Sequence, residues 1–335
     1  MIGRVAAAVA LTGAGCLAYG VFVERRAFTL RRVTVPVLPP GQRPLRVLHI
    51  SEMHLSTDRA YLARWVDRLA ALQPDLVVTT GDNLSQRQAL PMVFDAYGRL
   101  FAFPGVFVFG SNDYFAPTPV NPLRYLGLAR TPKPQREPLP HHALRAALVE
   151  RGWHDVENRR VELTLDGRLV EVRGTKDAHL DLDRYEDVAG PPDSAAVLSI
   201  GVTHAPYLRL LDAMAADGVD LIMAGHTHGG QVCVPFYGAL TTNCDLDTPR
   251  VKGLSSHAFG GHIAALHVSA GLGTSPYAPY RFACRPEATL LTLVARPTSD
   301  VVRASQIATP PACRGHAGCL NARGTAGPSA RTNPM

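Results

Sequence analysis

Residues 220–230 read Asp-Leu-Ile-Met-Ala-Gly-His-Thr-His-Gly-Gly and join an apolar run to a turn rich in glycine and histidine. The apolar run is short and bounded by polar residues, which is typical of a buried β-strand. His226 and His228 are two positions apart, so in an extended segment their side chains point the same way. The flanking glycines let the backbone approach a ligand without a Cβ in the way. The stretch therefore predicts a strand whose carboxyl end carries a binding site.

Four other short apolar runs end at side chains that can bind a metal ion. These runs are predicted as strands over 46–51, 75–80, 106–109 and 197–203. The polar residues that follow them are Glu52, His54, Asp82, Asn83, Asn112, Asp113 and His204. In an α/β sheet, ligands bind beyond the carboxyl ends of the strands. We therefore expect all five strand ends to converge on one rim.

The segments between these strands complete the expected fold. Helices are predicted by their apolar periodicity over 58–72, 87–101, 141–151 and 206–217. Further strands are predicted as a hairpin over 153–173 and as single strands over 263–269 and 289–294. The stretch 114–140 contains seven prolines and is predicted to be a loop. The alternation of strands and helices indicates an α/β sandwich of a single domain.

The polar set at the strand ends has the composition of a metal site. Imidazole, carboxylate and amide groups together suit divalent ions such as Mn, Fe or Zn. The candidate metal ligands are Glu52, His54, Asp82, Asn112, His204, His226 and His228. This set is too large for one tetrahedral ion, and two ions about 3.5–4 Å apart need a shared carboxylate. Asp82 is predicted to be that bridge. Such a pair of ions favours in-line phosphoryl displacement.

The motifs resemble those of the calcineurin-like metallophosphoesterases. The family pattern is D-x-H, G-D, G-N-H-D/E, a lone His and G-H-x-H, and the resemblance covers about residues 44–297 in the same order. The corresponding residues are Glu52-x-His54, Gly81-Asp82, Gly110-Ser111-Asn112-Asp113, His204 and Gly225-His226-Thr227-His228. The string from Gly225 to Gln231, with Gly271-Leu-Gly-Thr274 beyond it, looks most like the membrane-anchored bacterial branch.

The resemblance implies a fold and an activity. The fold is a four-layer α/β/β/α sandwich. The activity is hydrolysis of a phosphodiester, a pyrophosphate or a phosphomonoester with two divalent metal ions. Catalytic roles fall on Asp82 and Asn112. The alternative function is that of a catalytically weakened metal-binding protein that serves as a membrane-tethered binding or scaffold module.

Two positions depart from the family pattern and favour that alternative. Glu52 stands where the family has aspartate, so its carboxylate reaches one methylene further. Aligned without gaps, Ser111 takes the place of the ligand Asn, and Asn112 takes the place of the family's catalytic His. An amide cannot act as an acid, although it can hydrogen-bond a phosphoryl oxygen. Asn112 could instead serve as the metal ligand.

Two other histidine-containing features are given no ligand role. His179 lies near Asp177, Asp181 and Asp183. This segment is predicted to cap the site as a substrate-facing loop or to be solvated. His267 has no partner motif and is predicted to be structural.

The amino-terminal segment is apolar. Residues 5–23 carry no charge, and a helix of that length spans a bilayer's hydrocarbon core. A membrane anchor and a cleaved signal peptide are the two alternatives, and the anchor is preferred because Ala18-Tyr19-Gly20 is only a fair cleavage site. The arginines at 25, 26, 31 and 32 favour a cytoplasmic catalytic domain, but so few charges leave the side open. A single-pass cell-membrane protein is expected, with a lipid-linked phosphoester as an attractive substrate.

The composition bounds the class of protein. Apolar residues make up 46% of the 335 residues, which excludes a wholly disordered chain, and the formal net charge is +6. No basic run interleaves with aromatic residues, so we expect no nucleic acid as a dedicated partner. The predicted organisation is an amino-terminal anchor (or signal peptide) with a basic flank, a metallophosphoesterase domain and a flexible tail, over residues 1–32, 44–297 and 298–335.

Overall fold

The computed structural model describes residues 1–119 and 135–297. The strands are β1 (Thr29–Leu38), β2 (Leu45–Ile50), β3 (Leu76–Thr79), β4 (Gly105–Phe107), β5 (Trp153–Asp155), β6 (Arg159–Leu165), β7 (Arg168–Gly174), β8 (Leu198–Thr203), β9 (Leu221–Ala224), β10 (Cys233–Val234), β11 (Gly238–Ala239), β12 (Gly253–Phe259), β13 (His262–Val268) and β14 (Glu287–Ala295). One six-stranded sheet has the order β1-β14-β2-β3-β4-β5, and the other has the order β12-β13-β9-β8-β7-β6. β10 and β11 form a separate two-stranded hairpin.

The helices are α1 (Ile2–Phe22), α2 (Ala60–Asp67), α3 (Leu90–Tyr97), α4 (Ser111–Tyr114), α5 (His141–Glu150) and α6 (Leu208–Ala216). Val66, Val93 and Leu144 from α2, α3 and α5 are fully buried against the outer face of the first sheet. α6 covers the outer face of the second sheet through Leu211 and Met214. The inner faces of the two sheets share a core of branched aliphatic side chains. These layers confirm the predicted α/β/β/α sandwich.

Parallel pairing brings the predicted motifs to one edge. β2, β3 and β4 are parallel neighbours in the first sheet, and β7, β8 and β9 are parallel neighbours in the second. The turns beyond these strands are joined by backbone hydrogen bonds. The amide of Glu52 donates to the Gly81 carbonyl at 3.0 Å, and that of Gly225 donates to the His204 carbonyl at 2.9 Å. The motifs therefore interlock where the strands end.

Two segments differ from the sequence-based predictions. Arg31 and Arg32, predicted as a basic flank, lie in edge strand β1, which runs parallel to β14, and Arg31 pairs with Glu287 at 3.0 Å. Trp153–Asp155, predicted as part of a hairpin, instead extends the first sheet beside β4, while β6 and β7 alone form that hairpin. Both errors concern partners distant in the chain, which local periodicity does not specify. The predicted tail and residues 120–134 of the predicted loop lie outside the described residues.

The segment Gly3–Arg26 is long and apolar enough to cross a membrane, by length and composition, although a signal sequence would pass the same test. Most residues of α1 are exposed, but Gly20 is buried at its carboxyl-terminal end. There the Arg281 amide donates to the Gly20 carbonyl at 3.3 Å. The buried carboxylate of Glu24 accepts hydrogen bonds from the amides of Ala283 and Cys284 at 3.0 and 2.6 Å. The end of the apolar segment is thus fixed to the loop that precedes β14.

Candidate metal centre

Three predicted ligand atoms form a nearly equilateral triangle. His54 Nε2 lies 3.2 Å from Glu52 Oε2 and 3.1 Å from His228 Nε2. His228 Nε2 lies 3.1 Å from Glu52 Oε2. Two ligand atoms that each bind one ion at about 2.1 Å lie about 3.0–3.4 Å apart at octahedral or tetrahedral angles. The three atoms are therefore spaced as ligands of a single ion would be.

A second group of potential ligands shares Glu52 with the first. Glu52, Asp82 and His204 each place a ligand atom within 4.8 Å of the others. Asp82 Oδ1 lies 3.8 Å from His204 Nε2, and Glu52 Oε1 lies 3.5 Å from His204 Nδ1. Glu52 is thus common to both groups. Asp82, the bridge that the sequence predicts, also faces both groups, because its Oδ2 lies 3.5 Å from His54 Nε2 and its Oδ1 faces His204 Nε2.

The remaining ring nitrogens of two histidines face backbone carbonyls. His204 Nδ1 donates to the Thr80 carbonyl at 2.7 Å, and His226 Nε2 lies 3.2 Å from both the carbonyl oxygen and the side-chain Nδ2 of Asn243. His204 Nε2 and His226 Nδ1 then face one another at 3.3 Å, with both nitrogens available to an ion. Metal-ligating histidines characteristically donate their second N–H to a carbonyl or carboxylate. The donor set fits a second divalent ion.

Five of the seven candidate ligands have a left-handed backbone conformation. Their φ angles are 54° at Glu52, 45° at His54, 55° at Asp82, 66° at His226 and 50° at His228. Residues other than glycine cost about 1–3 kcal/mol each in such conformations, which persist where the surrounding structure imposes them and cluster at functional sites. Here the interlocked turns beyond the strands impose them. Among the described residues, five of the thirteen non-glycine positions with positive φ are predicted metal ligands.

Two glycines leave the space that the site requires. A Cβ at Gly110 would overlap Asp82 Oδ1 and the ring of His204. A Cβ at Gly225 would overlap Ser51 Oγ and crowd Glu52 Oε1. Glycine at these positions lets the turns after β4 and β9 approach the carboxylates closely.

The buried groups carry an excess of negative charge. Burial lowers the pKa of His204, but Asp82 and Glu52 outweigh burial and raise that pKa to about 10. Burial opposes ionisation of Glu52, yet His204 and the hydrogen bonds from His228 and His54 hold the pKa of Glu52 well below its ordinary value. Burial lowers the pKa of His226 as well. Because a histidine binds a metal ion as neutral imidazole, an ion at this site would displace the proton that the carboxylates favour on His204.

Asn112 faces Asp82 through its nitrogen atoms. Its backbone amide donates to Asp82 Oδ1 at 2.7 Å, and its Nδ2 donates to Asp82 Oδ2 at 2.6 Å. Its side-chain oxygen, the atom that would bind an ion, instead accepts a hydrogen bond from Arg136 Nη2 at 2.8 Å. In this arrangement Asn112 orients the Asp82 carboxylate, while its side-chain oxygen is engaged by Arg136. Ser111, the alternative at this motif, is the first residue of α4.

Arg136 is a site residue that sequence reasoning missed. It lies 24 residues beyond Asn112, within the proline-rich stretch 114–140, so no spacing connects the two. Its guanidinium also donates to the carbonyls of Phe115 and Ala116 at 2.9 and 3.0 Å. These bonds hold a half-buried positive charge beside the residue that stands at the family's histidine position.

The segment after β7 borders the site, as predicted for a substrate-facing loop. The ring of His179 lies 4.6 Å from that of His226. Asp177 is buried, and its Oδ1 accepts the His179 amide at 2.8 Å. Its Oδ2 has no hydrogen-bond partner among the described residues. Burial raises the pKa of Asp177 to about 7.

A chain of buried polar groups leads from the second sheet to Glu52. His267 Nδ1 contacts His49 Nδ1 at 2.9 Å, and His49 Nε2 contacts Thr80 Oγ1 at 3.0 Å. Thr80 donates to Ser51 Oγ at 2.8 Å, and Ser51 donates to Glu52 Oε1 at 3.1 Å. No sequence pattern predicts this chain of groups, because its members lie in or beside runs typical of ordinary strands. It orients the carboxylate that both ligand groups share.

An α/β/β/α sandwich with clustered histidines and carboxylates at the joint edge of its sheets defines a metallophosphoesterase. The chain belongs to the calcineurin-like phosphoesterase family, whose family model matches residues 45–230. It is accordingly a metal-dependent phosphoester hydrolase.

Three relatives illustrate the extent of the similarity. "Uncharacterized metallophosphoesterase YkuE" of Bacillus subtilis (strain 168) is 26% identical over 88% of this chain and 94% of its own length. "Phosphodiesterase YaeI" of Escherichia coli (strain K12) is 26% identical over 86% of this chain and 96% of its own length. "Transmembrane protein with metallophosphoesterase domain" of Bos taurus is 26% identical over 81% of this chain and 58% of its own length.

Proposed function

We propose that the protein is a membrane-anchored hydrolase of phosphodiesters that uses two divalent ions, with Mn, Fe or Zn as candidates. The observation that carries the proposal is the triangle of His54, His228 and Glu52 beside a second group that shares Glu52. The first ion would be held by that triangle. The second would be held by Glu52, Asp82, His204 and His226. Asn112 is assigned to orienting Asp82, because its oxygen is engaged by Arg136.

The substrate class is inferred from the relatives and from the amino-terminal segment. The E. coli relative is called a phosphodiesterase, which favours a diester over a monoester or a pyrophosphate. The apolar segment Gly3–Arg26, together with a bovine relative called transmembrane, supports a single-pass cell-membrane protein. The basic residues that follow this segment favour a cytoplasmic catalytic domain. That domain would comprise residues 44–297 together with β1. Because its site would be anchored at the membrane, lipid-linked phosphoesters are the favoured substrates.

The chain's own residues would prepare the reaction. When bound, divalent ions lower the pKa of a coordinated water and neutralise charge on the phosphoryl oxygens. Asp82 is held in one orientation by the two hydrogen bonds from Asn112. Arg136 places a fixed cation beside Asn112, the residue at the family's histidine position, and we assign this cation to binding a phosphoryl oxygen. Charge-assisted hydrogen bonds of this kind are shorter and stronger than neutral ones.

The proposed activity is tested with the full chain in detergent micelles. The protein is stripped of metal, reloaded with Mn²⁺ and assayed with an aryl phosphodiester and an aryl phosphomonoester. We expect turnover in the reloaded sample alone, with the diester cleaved faster. Faster cleavage of the monoester would contradict the diester assignment. Bound metal without turnover of either ester would instead support the metal-binding scaffold, the alternative that Asn112 favours.

The role of Arg136 gives a second prediction. Arg136→Gln should lower kcat/KM for the diester about 10- to 100-fold, because a hydrogen bond to a charged group contributes about 1.5–3 kcal/mol. Arg99→Gln is the matched control, since Arg99 pairs with Asp67 on the surface at 2.9 Å. Thermal unfolding of each variant checks that the fold persists. A folded Arg136→Gln variant with the kinetics of the control would exclude the assigned role.

A further inference from the structure

The metal centre is linked through one short segment to the end of α1. Phe282 lies next to Arg281, whose amide bonds to Gly20, and its ring packs edge-on against Tyr19 with ring centroids 6.4 Å apart. The Phe282 carbonyl accepts the Cys233 amide at 2.8 Å, and the Phe282 amide donates to the Gln231 carbonyl at 3.1 Å. The end of α1 and hairpin β10–β11 therefore flank the same segment.

The hairpin begins immediately after the ligand-bearing turn. His228 is followed by two glycines, Gln231 and the first residues of β10. Gly229 accepts a hydrogen bond from Cys233 Sγ at 3.3 Å, which closes the turn onto the hairpin. Among the clustered ligands, His228 has the most exposed ring. It thus lies on the hairpin side of the metal centre.

Large apolar side chains of this hairpin and its surroundings are exposed. They are Val232, Val234, Phe236, Tyr237, Leu240 and Tyr277. The Gln231 side chain donates to the Ala278 carbonyl at 3.0 Å, which holds the loop carrying Tyr277 beside the hairpin. Contiguous exposed apolar groups mark interaction sites for proteins or membranes. We call these six residues the apolar rim.

The tip of the hairpin presents its aromatic residue in an unusual conformation. The Tyr237 amide donates to the Val234 carbonyl at 3.1 Å, which closes a turn with Pro235 and Phe236 at its centre. Phe236 has a φ of 68°, and its side chain is fully exposed. A left-handed conformation at the third turn position normally calls for glycine or asparagine. A bulky aromatic residue kept there contributes nothing to the core, which points to a contact outside the chain.

The surroundings of the apolar rim identify a bilayer as its occupant. The rim is continuous, through Phe282, with the end of the segment proposed to span the membrane. Arg26 and Arg285 are exposed at that same end and are available to anionic lipid headgroups. Aromatic residues that combine an apolar ring with a polar edge, such as Tyr237 and Tyr277, are typical of membrane–water interfaces.

We propose that the apolar rim inserts into the headgroup region of the membrane beside α1 and brings the His228 edge of the metal centre to the bilayer surface. The proposal rests on the membrane anchoring in the proposed function and adds the surface that orients the site. A centre held in this way would act on phosphoesters within the lipid layer. Insertion of Phe236 to the depth of the interfacial region, about 5–10 Å, suffices for this contact.

The test measures the depth of the hairpin directly. Full-length Phe236→Trp protein is reconstituted into vesicles of phosphatidylcholine and phosphatidylglycerol that carry a nitroxide near the headgroup or near the acyl-chain end. Phe259→Trp is the matched control, because Phe259 is an exposed aromatic residue at the turn of β12 and β13. Along β13, that turn lies about 20 Å from the strand ends that carry the metal centre. The wild-type protein gives the background emission of its own tryptophans, Trp65 and Trp153.

We expect the headgroup nitroxide to quench the added indole several-fold more strongly in the Phe236 variant than in the Phe259 variant, with a blue shift of its emission. Equal quenching in the two variants would overturn the proposal. An unquenched indole in the Phe236 variant would also overturn it, and would indicate that the hairpin contacts a protein partner or a second copy of this chain. The measurement needs no turnover. An active phosphoesterase can therefore fail it, and an inactive chain can pass it.

Discussion

Asp82→Asn should lower kcat/KM for a phosphodiester by at least about 10³-fold, because several kcal/mol of charge stabilisation depend on correctly held ions. The substitution preserves shape and removes the charge of a carboxylate that faces both ligand groups. Its oxygens lie 3.5 Å from His54 Nε2 and 3.8 Å from His204 Nε2. The loss should appear in kcat, since the ions act on the charge that develops during the reaction.

The variant should remain folded. The backbone amide of Asp82 is held by Asp113 Oδ2 at 2.8 Å, and this bond is independent of the side chain. Asp67→Asn is the matched control, because Asp67 only pairs with Arg99 at the surface. Turnover and thermal unfolding are measured side by side. A folded Asp82→Asn variant with near-normal turnover would contradict the two-metal scheme.

Metal loading should raise the thermal unfolding midpoint by at least about 10 °C. An ion at a thousand times its Kd stabilises the folded state by about 4 kcal/mol, and each kcal/mol shifts Tm by about 2–4 °C for a domain of this size. Two ions bound to Glu52 and its neighbours would therefore stabilise the folded state by about 8 kcal/mol. The shift should shrink as the pH falls below about 10, because His204, whose pKa Asp82 and Glu52 raise to about 10, must release its proton before it binds an ion.

A pair of histidine variants shows whether the shift arises at this site. His54→Gln removes one corner of the triangle and should lose much of the metal-dependent rise. His142→Gln changes an exposed histidine on α5 and should keep all of it. Differential scanning calorimetry of stripped and reloaded protein gives both values. Equal shifts in the two variants would show that the ions bind elsewhere.

The positions of the candidate ligands could be predicted because each lies at a strand end. An apolar run that stops at Asp82 or His204 specifies both the strand and the edge at which it ends. Parallel pairing of these strands then has few alternatives, so the convergence of the motifs follows from the alternation of strands and helices along the chain. The same logic does not reach β1, for which no strand was predicted, and it misassigned β5; the partners of both strands are set by contacts distant in sequence.

The finer features of the site depend on contacts that no local pattern records. Arg136 approaches Asn112 across a proline-rich stretch, and His49 meets His267 only because the two sheets pack face to face. The left-handed backbone at Glu52 arises from hydrogen bonds between turns that are far apart in the chain. The extra methylene of Glu52 was readable from the sequence, but its place in both ligand groups was not.

The central claim is that Glu52 and its neighbours hold two divalent ions, and counting those ions tests it most directly. Full-length protein is stripped, reloaded with Mn²⁺, freed of excess metal and analysed by plasma mass spectrometry together with Asp82→Asn. The account predicts two ions per chain in the wild type and fewer in the variant. A wild-type chain that retains no ion, or one that loses none on substitution of Asp82, would contradict it.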